Sequence, residues 1–152
     1  MKKVKNEKKD EIDILEYIYQ IAKMNQENVG RILNLRCIED QIEVLLKEKL
    51  NSYKKIAYSA RSMLIRRKRK VKDITIATKM ATYLSVKKEL LKDSSSKKII
   101  QLLYEASIVS KEELNRYMSF VQINSKTILN ICNRLLSYEN NNILGYKKIL
   151  NR

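Results

Sequence analysis

The residues able to do chemistry in this 152-residue chain are few, and the gaps among them say as much as their positions. There is no histidine, which removes the commonest general base, the commonest transition-metal ligand and every His-containing catalytic triad. Cys37 and Cys132 stand alone, without the C-x-x-C spacing or the further thiols of a zinc or redox site, and read as small core residues. What remains is charge. Lys and Arg number 32 against 17 Asp and Glu, a net charge of +15. That surplus biases association toward nucleic acid, anionic lipid or an acidic partner.

The surplus is not spread evenly. Residues 1–9, 61–72 and 121–152 carry +4, +7 and +4, and together account for all of it. An AT-rich genome explains an abundance of Lys, Ile, Asn and Tyr but not the clustering at 61–72, where Arg61, Arg66, Arg67, Lys68, Arg69, Lys70 and Lys72 occur with no acid. One or two cations at a helix C-terminus satisfy the helix dipole. Six in seven also repel one another, so these residues are the candidate polyanion-binding set. Tyrosines are not interleaved with the run, so a single-strand stacking platform is not expected. The tyrosines instead fall on apolar seams, as Tyr19, Tyr53, Tyr117 and Tyr146 do, and read as core.

Carboxylates offer little more. A ferritin-type di-metal site needs inward acids from four helices and two Glu-x-x-His pairs. With every histidine missing, only a degenerate carboxylate remnant can be imagined, built on Glu139 and on Glu105 across the last hairpin. No metal, cofactor or small-molecule substrate is expected, and no enzymatic activity.

The elements that position these residues are helical. Two glycines and no proline leave the turns of a β architecture without their usual residues. Apolar residues recur at spacings of three and four: Ile12, Leu15, Tyr19, Ala22, Val29 and Leu33; then Ile42, Leu46, Leu50, Tyr53, Ala57, Ala60 and Leu64. Later helices carry Ile99, Leu103, Ala106, Tyr117 and Phe120, then Leu129, Cys132, Leu136, Ile143, Tyr146 and Leu150. The expected helices are 11–34, 38–68, 74–92, 96–120 and 124–151, with Ser94, Ser95 and Ser96 as N-cap candidates before the fourth. The basic run is expected to overhang the core as a helical extension of the second. Tight turns pair the long helices into two antiparallel hairpins joined by the short helix at 74–92. The fold class is therefore an all-α up-down bundle of four long helices with a short crossover helix, ferritin-like in connectivity. The competing topology makes 74–120 one continuous helix. Residues 1–9 are expected to form a basic, disordered N-terminal tail and 10–152 a single domain.

Leu15-Glu16-Tyr17-Ile18-Tyr19 with Ala22-Lys23-Met24, Thr78-Lys79-Met80-Ala81-Thr82-Tyr83-Leu84-Ser85, and Leu91-Lys92-Asp93-Ser94-Ser95-Ser96-Lys97 resemble a group of small helical-bundle proteins common in clostridia, themselves distantly ferritin-like. The resemblance implies a bundle and no activity; the basic run departs from it. No apolar leader and no stretch long enough to span a membrane is present, so a cytoplasmic protein is expected. Two roles stay open: a structural or protein-interaction module, binding a partner or itself, and a nonspecific nucleic-acid binder using 61–72 with the basic termini.

Overall fold

In the computed structural model, residues 2–35, 38–72, 88–90, 92–93 and 95–152 are described, with side chains from Lys9 onward. Four long helices make the bundle: α1 (Lys2–Leu33), α2 (Asp40–Arg66), α3 (Ser96–Phe120) and α4 (Lys126–Leu150). No strand occurs among the described residues, and no helix among them is long and apolar enough to cross a membrane. The expected helix at 74–92 lies almost wholly outside the described residues. Asp93 and Ser95 are non-helical, which excludes one continuous helix from 74 to 120.

Caps set the helix starts. The Ser95 hydroxyl accepts from the Lys98 amide at 3.2 Å, and Ser125 accepts from the Ile128 amide at 3.3 Å. Each satisfies a donor left over at a helix start, a contribution of about 1 kcal/mol. Asp93 accepts from the Ser95 amide at 2.9 Å and so fixes the approach to α3. α2 has no side-chain cap but carries Asp40 and Glu43 in its first turn, where negative charge meets the positive end of the helix dipole.

Two helix ends differ from expectation. α1 begins at Lys2: the basic segment 2–9 continues the helix rather than forming a disordered tail, since its Lys, Val and Glu residues include no helix breaker. α2 stops at Arg66 instead of running on as a helical overhang. Arg67 caps it, Lys68 takes the left-handed conformation at φ 57°, and the amides of Lys68 and Arg69 return to the Ile65 and Leu64 carbonyls at 2.9 and 3.0 Å. This is the Schellman closure, usually made by glycine. Leu64 is the last buried residue of α2, and the next residue to pack against the core is the half-buried Val71, so within 65–70 no buried residue offsets the repulsion between successive cations.

Core membership reveals the topology. One cluster joins Ile14, Leu15 and Ile18 to Ile56 and Leu64, to Leu114, and to Ile128 and Leu135. The other joins Val29 and Ile32 to Ile42 and Leu46, to Ile99 and Leu103, and to Tyr146. The start of α1 therefore lies beside the end of α2, the end of α3 and the start of α4. α2 and α3 run in the same direction, so Arg67 and Ser95 lie at opposite ends of the bundle, the placement that a crossover connection joins. Leu90, buried in the second cluster, anchors the far end of that connection.

Some expected seam residues turn outward. Phe120 is 81% exposed, and Leu129 is exposed as well. In α4 the buried stripe is Ile128, Cys132, Leu135, Glu139, Asn142 and Tyr146, rotated from the expected one because two polar residues face inward and find partners there.

Candidate functional site

Five buried polar residues among those described, Asn25, Ser107, Ser110, Glu139 and Asn142, occupy one level of the bundle. On α1, Asn25 lies between Ala22 of the first cluster and Val29 of the second; on α3, the two serines lie between Leu103 and Leu114; on α4, Glu139 and Asn142 lie between Leu135 and Tyr146. A polar layer thus divides two apolar halves. Its hub is Glu139, 1% exposed. Oε1 accepts from the Tyr53 hydroxyl at 2.7 Å, from Asn142 Nδ2 at 2.9 Å and from the Ser107 hydroxyl at 3.3 Å. Asn142 in turn accepts from Lys49 Nζ at 2.6 Å, and that ammonium sits over the Tyr138 and Tyr146 rings. Asn25 Nδ2 donates to Ser110 Oγ at 3.3 Å.

Burial dominates the protonation of this layer. Desolvation raises the Glu139 pKa against the opposing effect of its donors, raises that of Tyr53, and lowers that of Lys49. Cys132, buried and apolar in its surroundings, has its thiol pushed up to about 11, so it is inert packing. Cys37 lies outside the described residues.

The layer occupies the mid-bundle level where helical bundles build metal sites, but its residues do not fit one. Glu139 supplies a single carboxylate with one oxygen taken by three donors. Glu105, expected level with it, is exposed, and α3 presents Ser107 there instead. No group of three potential ligands occurs among the described residues. The arrangement orients helices: four of them are registered by hydrogen bonds that a shifted packing would break.

The basic residues form a different kind of surface. Arg61, Arg66, Lys68, Arg69, Lys70 and Lys72 are exposed and Arg67 is half-buried. Arg67 Nη1 donates to the Met63 carbonyl at 3.2 Å, so that side chain serves the helix end. The acid-free stretch is longer than the run itself. Between Glu48 and Asp73 stand ten Lys and Arg and no carboxylate, adding Lys49, Lys54 and Lys55. The sole acid of α4 is the buried Glu139, so α4 presents only cations to solvent.

α2 and α4 are neighbours, as the bonds from Tyr53 and Lys49 to α4 require. Their shared outer face holds a trough of about 400 Å³ lined by Lys54, Lys55, Tyr58 and Arg134, among others. A second, about 420 Å³, lies on the other flank of Tyr58, bounded by Lys23, Lys54, Arg61 and Val71. No acid among the described residues lines either. Lys54, Lys55, Tyr58 and Arg134 lie outside the dense basic run that begins at Arg61, so composition alone does not single them out. The signal was the absence of acids from Lys49 onward, together with a tyrosine off the Tyr53–Ala57–Ala60–Leu64 seam.

No protein family, curated protein or solved structure matches the chain.

Proposed function

We propose that this protein is a non-catalytic helical bundle that binds nucleic acid as a polyanion, in the cytoplasm, through Arg61, Arg66, Lys68, Arg69, Lys70 and Lys72 and the adjoining α2 face. The observation that carries this reading is the segment leaving α2. Its cations are exposed on a non-helical backbone, and Lys68 holds a left-handed position that glycine would fill without strain. A surface that keeps charge where the backbone favours glycine is consistent with selection on the charge. Glu139 and its partners supply the stiff frame. The crossover connectivity also supports the ferritin-like resemblance, without a metal role.

Each phosphate neutralised releases counterions, so log affinity for duplex DNA falls against log salt with a slope near −0.9 per contact. Six contacts give a slope of about −5. Replacing Arg66, Arg69 and Lys70 by Gln should lower the slope by roughly 2 to 3, with an unchanged helical spectrum because these side chains are exposed. Absence of binding by the wild type at low salt, or a triple variant that binds as well, refutes the reading.

Phe120 favours a second role, docking of a protein partner or another copy. It is 81% exposed beside a trough of about 450 Å³ lined by Tyr17, Glu113, Arg116 and Tyr117. Light scattering that shows the same monomer mass across concentrations would dismiss the self-association form.

A further inference from the structure

We infer that the α2/α4 face binds single-stranded nucleic acid, with a base laid on the Tyr58 ring and phosphates against Lys54, Lys55, Arg61 and Arg134. The inference rests on the polyanion reading and narrows it to one class of strand.

Tyr58 is the sole fully exposed tyrosine among the described residues, at 70% exposure, whereas Tyr19, Tyr53 and Tyr146 are all below 10%. An isolated exposed aromatic is ordinary. The surroundings of this one are not. Lys54 and Lys55 precede it by one helical turn and Arg61 follows by one, so all three share its side of α2. Arg134 closes the face from α4. Lys54 and Arg61 are about 10 Å apart along the axis, enough to hold the backbone on both sides of a stacked base. The troughs flanking the ring, about 400 and 420 Å³, are open to solvent, as access for an extended strand requires.

Aromatic rings on a cationic track are how sequence-tolerant single-strand binders hold their ligand, because every base has a π-face. Duplex bases are already stacked and cannot use the ring. From Arg61 the track continues through Arg66 and Lys68–Lys70 to Lys72, so a strand anchored at Tyr58 can follow positive charge around the end of α2.

The chain has no tryptophan, so Tyr58→Trp installs a single indole at the stacking position. Titrated with oligothymidylate or oligouridylate, that indole should be quenched; an abasic oligonucleotide of equal length should bind more weakly and leave it bright. By fluorescence anisotropy at low salt, the wild type should bind oligothymidylate roughly 5- to 10-fold more tightly than the abasic strand, the lower end of the stacking range. Tyr58→Ala should erase that difference while keeping residual binding to both, and Tyr58→Phe should preserve it. Equal affinity for base-bearing and abasic strands would overturn the stacking inference and leave the polyanion reading intact. Failure of both strands to bind would remove the two together. Oligouridylate against oligothymidylate then separates RNA from DNA as the strand held.

Discussion

The two outer seams of the bundle treat their carboxylates in opposite ways. Where α1 meets α3, acids are at the surface and bonded: Tyr17 donates to Glu113 at 3.1 Å while its ring stacks on Tyr117, centroids 4.7 Å apart. Asp10 accepts from the Gln122 amide, and Glu11 from the amides of Asn124 and Ser125, so the start of α1 holds the turn between α3 and α4. The interior of that seam is neutral, Asn25 to Ser110. Where α2 meets α4, the polarity is reversed, with the carboxylate inside and cations outside. The first seam is built to be stable against solvent; the second keeps its surface charge uncompensated and derives its cohesion from beneath.

Removing the inner tyrosine should therefore cost far more than removing the outer one. Tyr53, 4% exposed, fills core volume and donates to Glu139, and its ring packs edge-on against Tyr138. Tyr53→Ala should lose about 3–5 kcal/mol in urea unfolding. Tyr17→Ala should lose about 1–2 kcal/mol, since its ring is half-exposed and one bond to a solvated carboxylate is worth little. Equal losses would mean that the buried layer does not hold α2 to α4.

A smaller effect separates the two kinds of carboxylate by pH. Burial raises the Glu139 pKa in the folded protein, so the native state holds a proton that the unfolded chain has released. The resulting stability is fully present below the ordinary glutamate pKa and is lost as pH rises through the folded value. Glu139→Gln removes the titration. The stability of the wild type relative to this variant should fall from pH 4 toward pH 8, with Tyr53, Ser107 and Asn142 still able to donate to the amide oxygen. A difference that rises over that range would mean that the carboxylate is stabilised as an anion, with Lys49 dominating over desolvation.

How much of this was legible in the sequence depends on which force decided each feature. Helix existence followed from apolar spacing, and α3 starts and ends where Ser95 and Phe120 suggested, because the periodicity and the cap agree. The register of α4 was legible in part. Cys132, Glu139 and Tyr146 face inward as their spacing suggested, but Leu129 turns outward and Asn142 inward, a choice fixed by the Lys49 ammonium on α2 that no local pattern reveals. The end of α2 was not legible for a related reason: Arg and Lys favour helix locally, but α2 buries nothing after Leu64. The basic cluster was legible as composition. Its continuation over Tyr58 to Arg134 was not, because Arg134 comes from another helix.

Lys68 gives a third, still smaller, contrast. A non-glycine residue at positive φ costs about 1 kcal/mol, so Lys68→Gly should raise stability by about 0.5–1 kcal/mol while weakening duplex binding by one phosphate contact. Stability and binding would then move in opposite directions at one residue. A loss of stability on this substitution would show that the Lys68 side chain packs or bonds at the helix end, as Arg67 does, and is not there for its charge.

The smallest expected effect tests the acid-free face directly. Lys54 and Arg61 lie about 10 Å apart on α2, close to the Debye length at 0.1 M salt and well inside the 30 Å length at 0.01 M. With no carboxylate among the described residues lining the troughs beside them, their mutual repulsion and that of Lys55 and Arg134 go uncompensated there at low salt. Replacing Lys54 and Arg61 by Gln should therefore raise stability by a few tenths of a kcal/mol at 0.01 M salt, and the gain should vanish by 0.5 M as screening takes over. Glu11→Gln, on the opposite seam, should behave in the reverse sense. It weakens bonds to the Asn124 and Ser125 amides that salt barely screens, so the loss, up to about 1 kcal/mol, should persist at both salt concentrations. The sign at low salt is decisive. If neutralising Lys54 and Arg61 lowers stability there, carboxylates from elsewhere in the chain already pair with these cations, and the face has no free charge to offer a phosphate.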